Sequence, residues 1–526
     1  MARAQREREP RASAGAGLQE EGGLVGIDVG GGGVRVGFFD PPDSLRYLIS
    51  RPEPAASEGF DPELTWLAVA SAIRELTSRE VRVRAVGLTA HLATVLVGRD
   101  GRPTTEALLW RDNQAWQEAQ DIQDMLGAEL ESVTGRRSSA ESAAARIRRL
   151  AKVSPAALSR TRWLLSLKDY LTLKLTGQVC TDPASASYTQ LFDVRRRRWS
   201  PGIARKSGVP LHILPSVRPA TAVAGRVTSA AAELTGLARH TPVAVGGPDG
   251  SAGGLGVGAC YAGITIDIAG TTDVLLHVTD APVDTARQGT VLNAYVLESL
   301  WAAGGPTGLT GGGIDWLAAT LGYSSTAAAY QDLEPGLAAA DPGDLLMRTT
   351  LTGRRLPGWN PLMRGRIDGI SAVHGPAHLL RAAEDGGVFE VRLGIDALRA
   401  IGASITAVIT AGGPSGSPRA MQLRADAWGA RVGTSADSHP SLRGAALAGA
   451  VAAGRFADAL EAAAAMVPPL EWRLPEPAAA RNAEHRYRRW CAIMMSLSTP
   501  GRTARPAWLW RPARRGPAEW RFNWHR

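Results

Sequence analysis

The sequence predicts an α/β protein of two lobes around a shared cleft, and three stretches carry that prediction. "GIDVGGGGVRVGFFD" (26–40) sets alternating apolar runs on either side of four glycines. Val25, Ile27 and Val29 lead in, and Val34, Val36 and Phe38 lead out. Alternation of period two marks strands, so this is a hairpin with a glycine turn. "GITIDIAGTTDVLLHV" (263–278) repeats the design some 240 residues later, with Ile264, Ile266 and Ile268 before Gly270-Thr271-Thr272 and Val274, Leu276 and Val278 after. Asp28 and Asp267 stand at matching places in the two hairpins. Two such units indicate a duplicated architecture. "VITAGGPSGSPRAMQLRADAWG" (408–429) reads as a strand end, a Gly-Gly turn and a helix from Ser417 to Trp428, with a serine cap and Pro418 in its first turn.

The turns suit phosphate. Backbone N–H groups and threonine hydroxyls in a tight turn hold phosphate oxygens, and a neighbouring carboxylate holds Mg²⁺ directly or through water. The first turn is not a dinucleotide loop, because its glycines lead into a strand and not a helix. It is not a Walker loop either, because no Lys-Ser/Thr follows it. Taken alone, it reads equally as a plain glycine hairpin.

Between the hairpins, "TPVAVGGPDGSAGGLGVGAC" (241–260) predicts a buried strand over 242–245, a turn, and a small-residue helix over 251–260. Asp249 falls at the strand-to-helix corner. Such an aspartate is either an N-cap or a base that takes a proton from a hydroxyl during phosphoryl transfer.

Composition bounds the remaining possibilities. The chain has 526 residues, enough for two to four domains, with 44% hydrophobic and 21% charged residues. No run of 18 apolar residues predicts a membrane span. Residues 1–21 are polar, lack the apolar core of a signal peptide and read as a disordered leader. Cys180, Cys260 and Cys491 are far apart, which fits a reducing cytoplasm. The net charge is +9, of which residues 500–526 supply +6 through seven arginines and one glutamate. The remainder is about +3, too little for a diffuse nucleic-acid surface. The tail alone interleaves arginine with Trp508, Trp510, Trp520 and Trp524, a pattern that stacks on single strands or reads as a plain basic extension.

In this order the motifs resemble the FGGY carbohydrate kinases, of the actin/sugar-kinase/Hsp70-type superfamily, and the xylulokinase-like members among them. The likeness spans about residues 22–490. It rests on the two hairpins, on "GLTAHLATVLVGRDGRPTTEALLWRDNQA" (87–115), on "SLKDYLTLKLTGQVCTDPASASYTQLFDVRRRRWS" (166–200) and on "GGPDG". It also rests on "GGGIDWLAATLG" (311–322), "LTGRRLPGWNPLMRGRIDGI" (351–370) and "AGGPSGSP". The resemblance implies two ribonuclease-H-like α/β domains around a central cleft. A sugar-side domain would cover 22–245 and a nucleotide-side domain 246–490, followed by a basic tail over 491–526. It implies ATP and Mg²⁺ as cofactors and a pentulose such as xylulose, or a related sugar, as acceptor. Gluconate, glycerol, a tetritol or a degenerate, binding-only protein are the alternatives. Asp249 would be the general base and Asp28 the metal-side carboxylate. Gly30, Gly31, Arg35, Gly270, Thr271 and Thr272 would hold phosphates, with Gly311, Gly412 and Gly413 along the nucleotide. His91, Trp110, Asp112 and Asp249 would face the sugar. A small-molecule sugar or polyol is the expected partner, with no nucleic acid and no membrane, in the cytoplasm. A homodimer is compatible with this reading.

The chain departs from the family pattern at several points. Glycines 31–33 stand where Thr or Ser is usual. The sugar loop reads Ala90-His91-Leu92-Ala93, with its histidine two places early. Arg354 replaces a glutamate, and Gly250 follows the base where asparagine is common. These changes bear on the acceptor more than on the chemistry, since each sugar hydroxyl needs its own partner. Elsewhere, His374 and His378 have helical spacing but lack the further ligands of a zinc site, so they read as a structural pair. "RRRRW" (195–199) after the strand-like "YTQLFDV" reads as a solvated turn, and "TGRRSSAESAAARIRRLAK" (134–152) as a loop entering a basic helix.

Overall fold

The computed structural model describes residues 22–40, 42–52, 59–109, 112–285, 289–337 and 340–495. The expected leader (1–21), most of the tail (496–526) and Trp110 lie outside these residues.

The first sheet contains β1 (Gly23–Gly30), β2 (Gly33–Phe39), β3 (Leu45–Arg51), β4 (Val83–Ala90), β5 (Val223–Arg226), β6 (Pro242–Ala244) and the short β7 (Gly247–Pro248). Its order is β5-β6-β4-β1-β2-β3, with β7 beside β4. The second sheet contains β8 (Thr265–Ala269), β9 (Thr272–Thr279), β10 (Val291–Ala294), β11 (Trp301–Leu309), β12 (Ala407–Gly412), β13 (Arg431–Ser435) and β14 (Leu470–Arg473), in the order β10-β11-β9-β8-β12-β13-β14. The two sheets share one topology. Each starts from an antiparallel hairpin, β1–β2 or β8–β9, and extends it with a third antiparallel strand, β3 or β11. On the other side, parallel strands join the first strand of the hairpin: β4 then β6, and β12 then β13. The duplication read from the two hairpins therefore extends to whole sheets.

Both hairpins form because their inward positions are apolar. Val25, Ile27, Val29, Val34 and Val36 are buried in one core with α1 (Pro62–Thr77). Asp61 caps that helix by accepting the Glu63 amide hydrogen at 2.9 Å.

Two later helices join the lobes. The helix α2 (Asp249–Gly256) follows the first sheet but packs on the second, with Leu255 buried beside Ile266 and Tyr295. The helix α3 (Pro440–Ala452) follows β13 of the second sheet but packs on the first. They cross each other in backbone contact. A Cβ at Gly444 would lie 1.8 Å from the Ala252 carbonyl oxygen, and one at Gly256 would lie 1.9 Å from that of Pro440. A Cβ at Gly87 of β4 would lie 1.7 Å from Ala445 O. Glycine is required at these three points because no side chain fits.

Several expectations are corrected. The helix after the GGPDG turn spans Asp249–Gly256 and not 251–260, because the chain leaves helical geometry at Val257 and turns with positive φ at Gly258. The first sheet includes Gly247–Pro248 and so reaches three residues past the expected strand end at 245. The segment 311–322 is helical over Gly311–Thr320. The last helix runs Pro477–Met495 with Met494 buried, so 491–495 belong to the folded lobe. Of "YTQLFDV", only Phe192–Asp193 is a strand, and Tyr188 ends a short helix over Pro183–Tyr188. The arginine turn is only partly solvated. Arg197 donates to the Leu300 carbonyl oxygen at 2.8 Å and lies over the Trp301 ring, while Arg195 reaches the carbonyl oxygens of Pro282 and Val283. Both therefore cross to the second lobe. His374 and His378 satisfy local backbone amides of Ser371 and Gly375, as a structural pair should. Among the described residues, no helix is long and apolar enough to cross a membrane.

Gly444→Ala forces backbone apart at the helix crossing and is expected to destabilise the fold by about 1–3 kcal/mol. Urea unfolding of the variant measures this, and an unchanged midpoint would show that the crossing tolerates a side chain.

Candidate functional site

A cleft of about 2350 Å³ separates the lobes. Gly31, Gly32, His91, Asp249, Thr271 and Thr272 are among its lining residues. Both hairpin turns and the GGPDG corner thus reach one cavity, although they are hundreds of residues apart in the chain.

Asp249 is not an N-cap. Pro248 occupies that position, and Asp249 is the first helical residue. Its Oδ1 accepts from the Gly250 amide at 2.8 Å, and its carbonyl oxygen accepts from Ser441 Oγ of α3 at 3.1 Å. The carboxylate is left to the cleft. Burial raises its pKa, with His91 pulling the other way.

The approach to Asp249 is held from behind. Lys168 is fully buried, and its Nζ donates to Val245 O at 2.9 Å and to Asp169 Oδ1 at 2.5 Å, with Asp182 Oδ1 at 3.4 Å. Burial disfavours its charge, but the two carboxylates outweigh that and raise its pKa. Thr89 Oγ1 donates to Gly247 O at 2.7 Å.

Asp28 lies on β1 opposite Arg35, whose Nη1 donates to Oδ2 at 3.2 Å. Its Oδ1 is buried and without a hydrogen-bond partner among the described residues. Burial first, then the negative charge of Asp249, push Asp28 up to about 6, while Arg35 and His91 oppose this. Two neighbouring carboxylates, one with an unused oxygen, fit a divalent cation whose other ligands are phosphate and water. Among the described residues there is no cluster of three or more His, Cys, Asp or Glu that would form an all-protein cage.

The second turn is held by Asp273. Its Oδ1 accepts from the Gly270 amide at 3.1 Å and from Thr310 Oγ1 at 2.7 Å. The Gly312 amide donates to Thr271 O at 3.0 Å. Gly311 presses on the turn from outside, where a Cβ would lie 2.3 Å from Gly270 O. Gly412 pairs with Ala269 in the β8–β12 ladder, and Gly413 is exposed beside it. Gly311, Gly412 and Gly413 therefore surround the second turn without lining the cleft. Asp267 does not repeat the role of Asp28. Its neighbours Ile266 and Ile268 face the cleft, so Asp267 points to the other side of the sheet. There it accepts from Thr410 Oγ1 at 3.3 Å, with Arg424 Nε at 3.6 Å, and burial raises its pKa.

On the acceptor side, His91 is buried, and its amide donates to Val29 O at 2.8 Å. Asp112 is buried away from the lining. It accepts from the Gln114 amide at 2.9 Å and lies 3.9 Å from Arg146, while Asn113 lines the cleft instead. Gly30 and Arg35 sit directly behind the first turn. Gly31 has open space around it, so the missing hydroxyl there is not imposed by packing. Arg354, where a glutamate was expected, is buried near the Glu390 carboxylate.

Residues 24–256 match the N-terminal domain of the FGGY family of carbohydrate kinases, and residues 267–453 match its C-terminal domain. The chain belongs to the FGGY family of carbohydrate kinases. It is 27% identical to a xylulose kinase of Lactococcus lactis subsp. lactis (strain IL1403), covering 84% of this chain and 89% of that protein. A glycerol kinase of Gloeobacter violaceus is 28% identical, covering 86% and 92% of the two chains. A gluconokinase of Bacillus subtilis (strain 168) is 24% identical, covering 84% and 90%. Among solved structures, gluconate kinase from Lactobacillus acidophilus superposes with a TM-score of 0.85 at 20% identity, covering 91% of this chain and 99% of that one. Xylulose kinase from Rhodospirillum rubrum superposes with 0.83 at 23%, covering 90% and 99%. These two share the fold. The protein is thus an ATP-dependent sugar kinase of the FGGY type, which transfers phosphate to the hydroxyl of a small sugar.

Sequence reasoning missed Arg136, Tyr188 and Asn293, which also line the cleft. No local pattern marks them, since each lies at the end of an element or in a loop.

The FGGY kinase's Asp28 binds its proton more tightly when folded, so it contributes stability in acid that is lost as pH rises through about 6. Asp28→Asn should therefore gain on the wild type between about pH 4 and pH 6, by up to ~3 kcal/mol, and level off above. Denaturation in EDTA across this range measures it; a pH-independent difference would refute the shift.

Proposed function

We propose that this kinase transfers the γ-phosphate of ATP to a hydroxyl of a pentulose such as xylulose, or of a related sugar or sugar acid, with Asp249 as general base. The observation that carries this reading is the Asp249 carboxylate: helical but uncapping, in the cleft, between the glycine turn of one lobe and the threonine turn of the other. A base needs an unoccupied oxygen within reach of the hydroxyl proton. The raised pKa of Asp249 makes it a better proton acceptor than an exposed aspartate.

In this reading the acceptor sits on the first lobe near His91, and the triphosphate lies toward the second turn. The amide of Gly31 and the hydroxyls of Thr271 and Thr272 face the phosphates, Gly270 gives the second turn its shape, and Gly311, Gly412 and Gly413 shape the nucleotide side. Asp249 takes the hydroxyl proton as the acceptor oxygen bonds to the γ-phosphorus and the bond to ADP breaks. Arg35 holds Asp28 in place. Mg²⁺, when bound beside Asp28, would neutralise charge on the phosphates. Closing the cleft would exclude water, which competes with the sugar for the same phosphorus. The chemistry needs a compartment that holds ATP, such as the cytoplasm.

Among the relatives, the xylulose kinases support a pentulose, while the gluconokinase and the glycerol kinase keep acids and polyols in the acceptor class. Asp249→Asn preserves shape and removes the base. It is expected to lower kcat by about 10²-fold or more, the usual contribution of a general base, while ATP still binds. Coupled ADP release over a panel of xylulose, gluconate, glycerol and erythritol measures this. Near-normal turnover in the variant would remove Asp249 from the role, and no turnover of any acceptor by the wild type would favour a binding-only protein.

A further inference from the structure

The strand β10 of the second lobe is gripped by the first lobe at three successive residues. The Leu292 amide donates to Gly135 O at 2.9 Å, Asn293 Oδ1 accepts from Arg136 Nη2, and the Ala294 amide donates to Ser187 Oγ at 3.0 Å. Gly135 has φ +73°, and a Cβ there would lie 2.3 Å from Leu292 O, so the contact admits no side chain. The gripping residues come from the Ser-rich loop and from the helix that ends at Tyr188, and both border the acceptor half of the cleft.

Arg136 is the charged member of this contact. Its guanidinium carbon is 4.5 Å from the centre of the Tyr188 ring. Burial raises the Tyr188 phenol pKa, with Arg136 opposing this and the Asp249 charge adding to it. Among the described residues Arg136 forms no ion pair, although the Glu141 carboxylate favours its charge, and its buried Nε is without a hydrogen-bond partner. A guanidinium carries five N–H donors, and Asn293 and Tyr188 engage only part of them. The remaining donors belong to a half-buried cation on the cleft wall, where an oxygen-bearing ligand can meet them.

We propose that Arg136 reads an oxygen of the acceptor on the side of the pocket away from Asp249, and that Asn293 of the other lobe holds it in position to do so. The proposal rests on the kinase reading above. It makes acceptor recognition a property of the closed pair of lobes, since the group that recognises the sugar is set by the lobe that carries the nucleotide. The oxygen is either a neutral hydroxyl or carbonyl, as in xylulose, or a carboxylate, as in gluconate. Arg136 is a binding residue in this scheme and Asn293 a positioning residue.

Initial rates with Mg²⁺-ATP and varied D-xylulose or D-gluconate test it. Arg136→Met is expected to raise KM for the acceptor at least 10-fold and to change KM for ATP less than twofold. Arg136→Lys should recover part of the loss. Asn293→Leu should shift acceptor KM in the same direction, and the double variant should be no worse than Arg136→Met alone. A loss confined to xylulose identifies a neutral oxygen, and a larger loss for gluconate identifies a carboxylate. An unchanged acceptor KM in Arg136→Met, or independent and additive effects of the two substitutions, would make the contact a mere strut and overturn the proposal while leaving the kinase intact. Should Arg136→Met fold poorly in a thermal melt, Arg136→Gln carries the same comparison. A wild type that turns over neither sugar fails the kinase reading for these acceptors. Calorimetric titration of each sugar into wild type and Arg136→Met then decides, and equal affinity or no binding in both overturns the proposal.

Discussion

The site depends on a close crossing of two helices. Each lobe sends one helix onto the sheet of the other, and the two meet with almost no side-chain spacer. Ala252 lies against Gly444, and Pro440 against Gly256. The crossing places Asp249, first residue of one helix, beside Ser441 of the other. It also sets the first sheet, with Asp28, against the helix that extends from the second. The position of the candidate base relative to both turns is therefore a packing property. Interiors of this density transmit small displacements and do not absorb them.

Electrostatics then differentiates carboxylates that look alike in the chain. Asp28, Asp249 and Asp267 all lie near a glycine turn. Asp28 lies close enough to Asp249 to feel its charge and keeps one oxygen without a hydrogen-bond partner. Asp249 spends one oxygen on its neighbouring amide and presents its carboxylate to the cleft. Asp267 turns to the opposite face, where Arg424 and Thr410 receive it. The alternation of a strand is enough to separate the last from the other two.

The second lobe also contributes to the wall of the cleft next to the first lobe. Its edge strand β10 bonds to a loop and a helix that line the cleft, and Arg195 and Arg197 add contacts between the lobes. The lobes thus meet at the glycine crossing and at this edge contact, with the cleft between them. An acceptor bound in the cleft has walls from both lobes.

Much was legible in the chain because it is local. Period-two alternation marked both hairpins, the cap and proline marked the helix over Pro418–Trp428, and Gly-Gly-Pro-Asp-Gly marked the corner at Asp249. The order of these motifs, and the resemblance they carry, was enough for the lobes and the class of chemistry. The tertiary structure decided what depends on separated residues. It made Asp249 a cleft group and not a cap, turned Asp267 away, withdrew Asp112 from the lining, and brought Arg136, Tyr188 and Asn293 to the pocket. Local propensity acts over a few residues and is written in their spacing. Contacts such as Arg136 with Asn293 join residues 157 apart, and only the packing of two lobes onto one another brings such residues together.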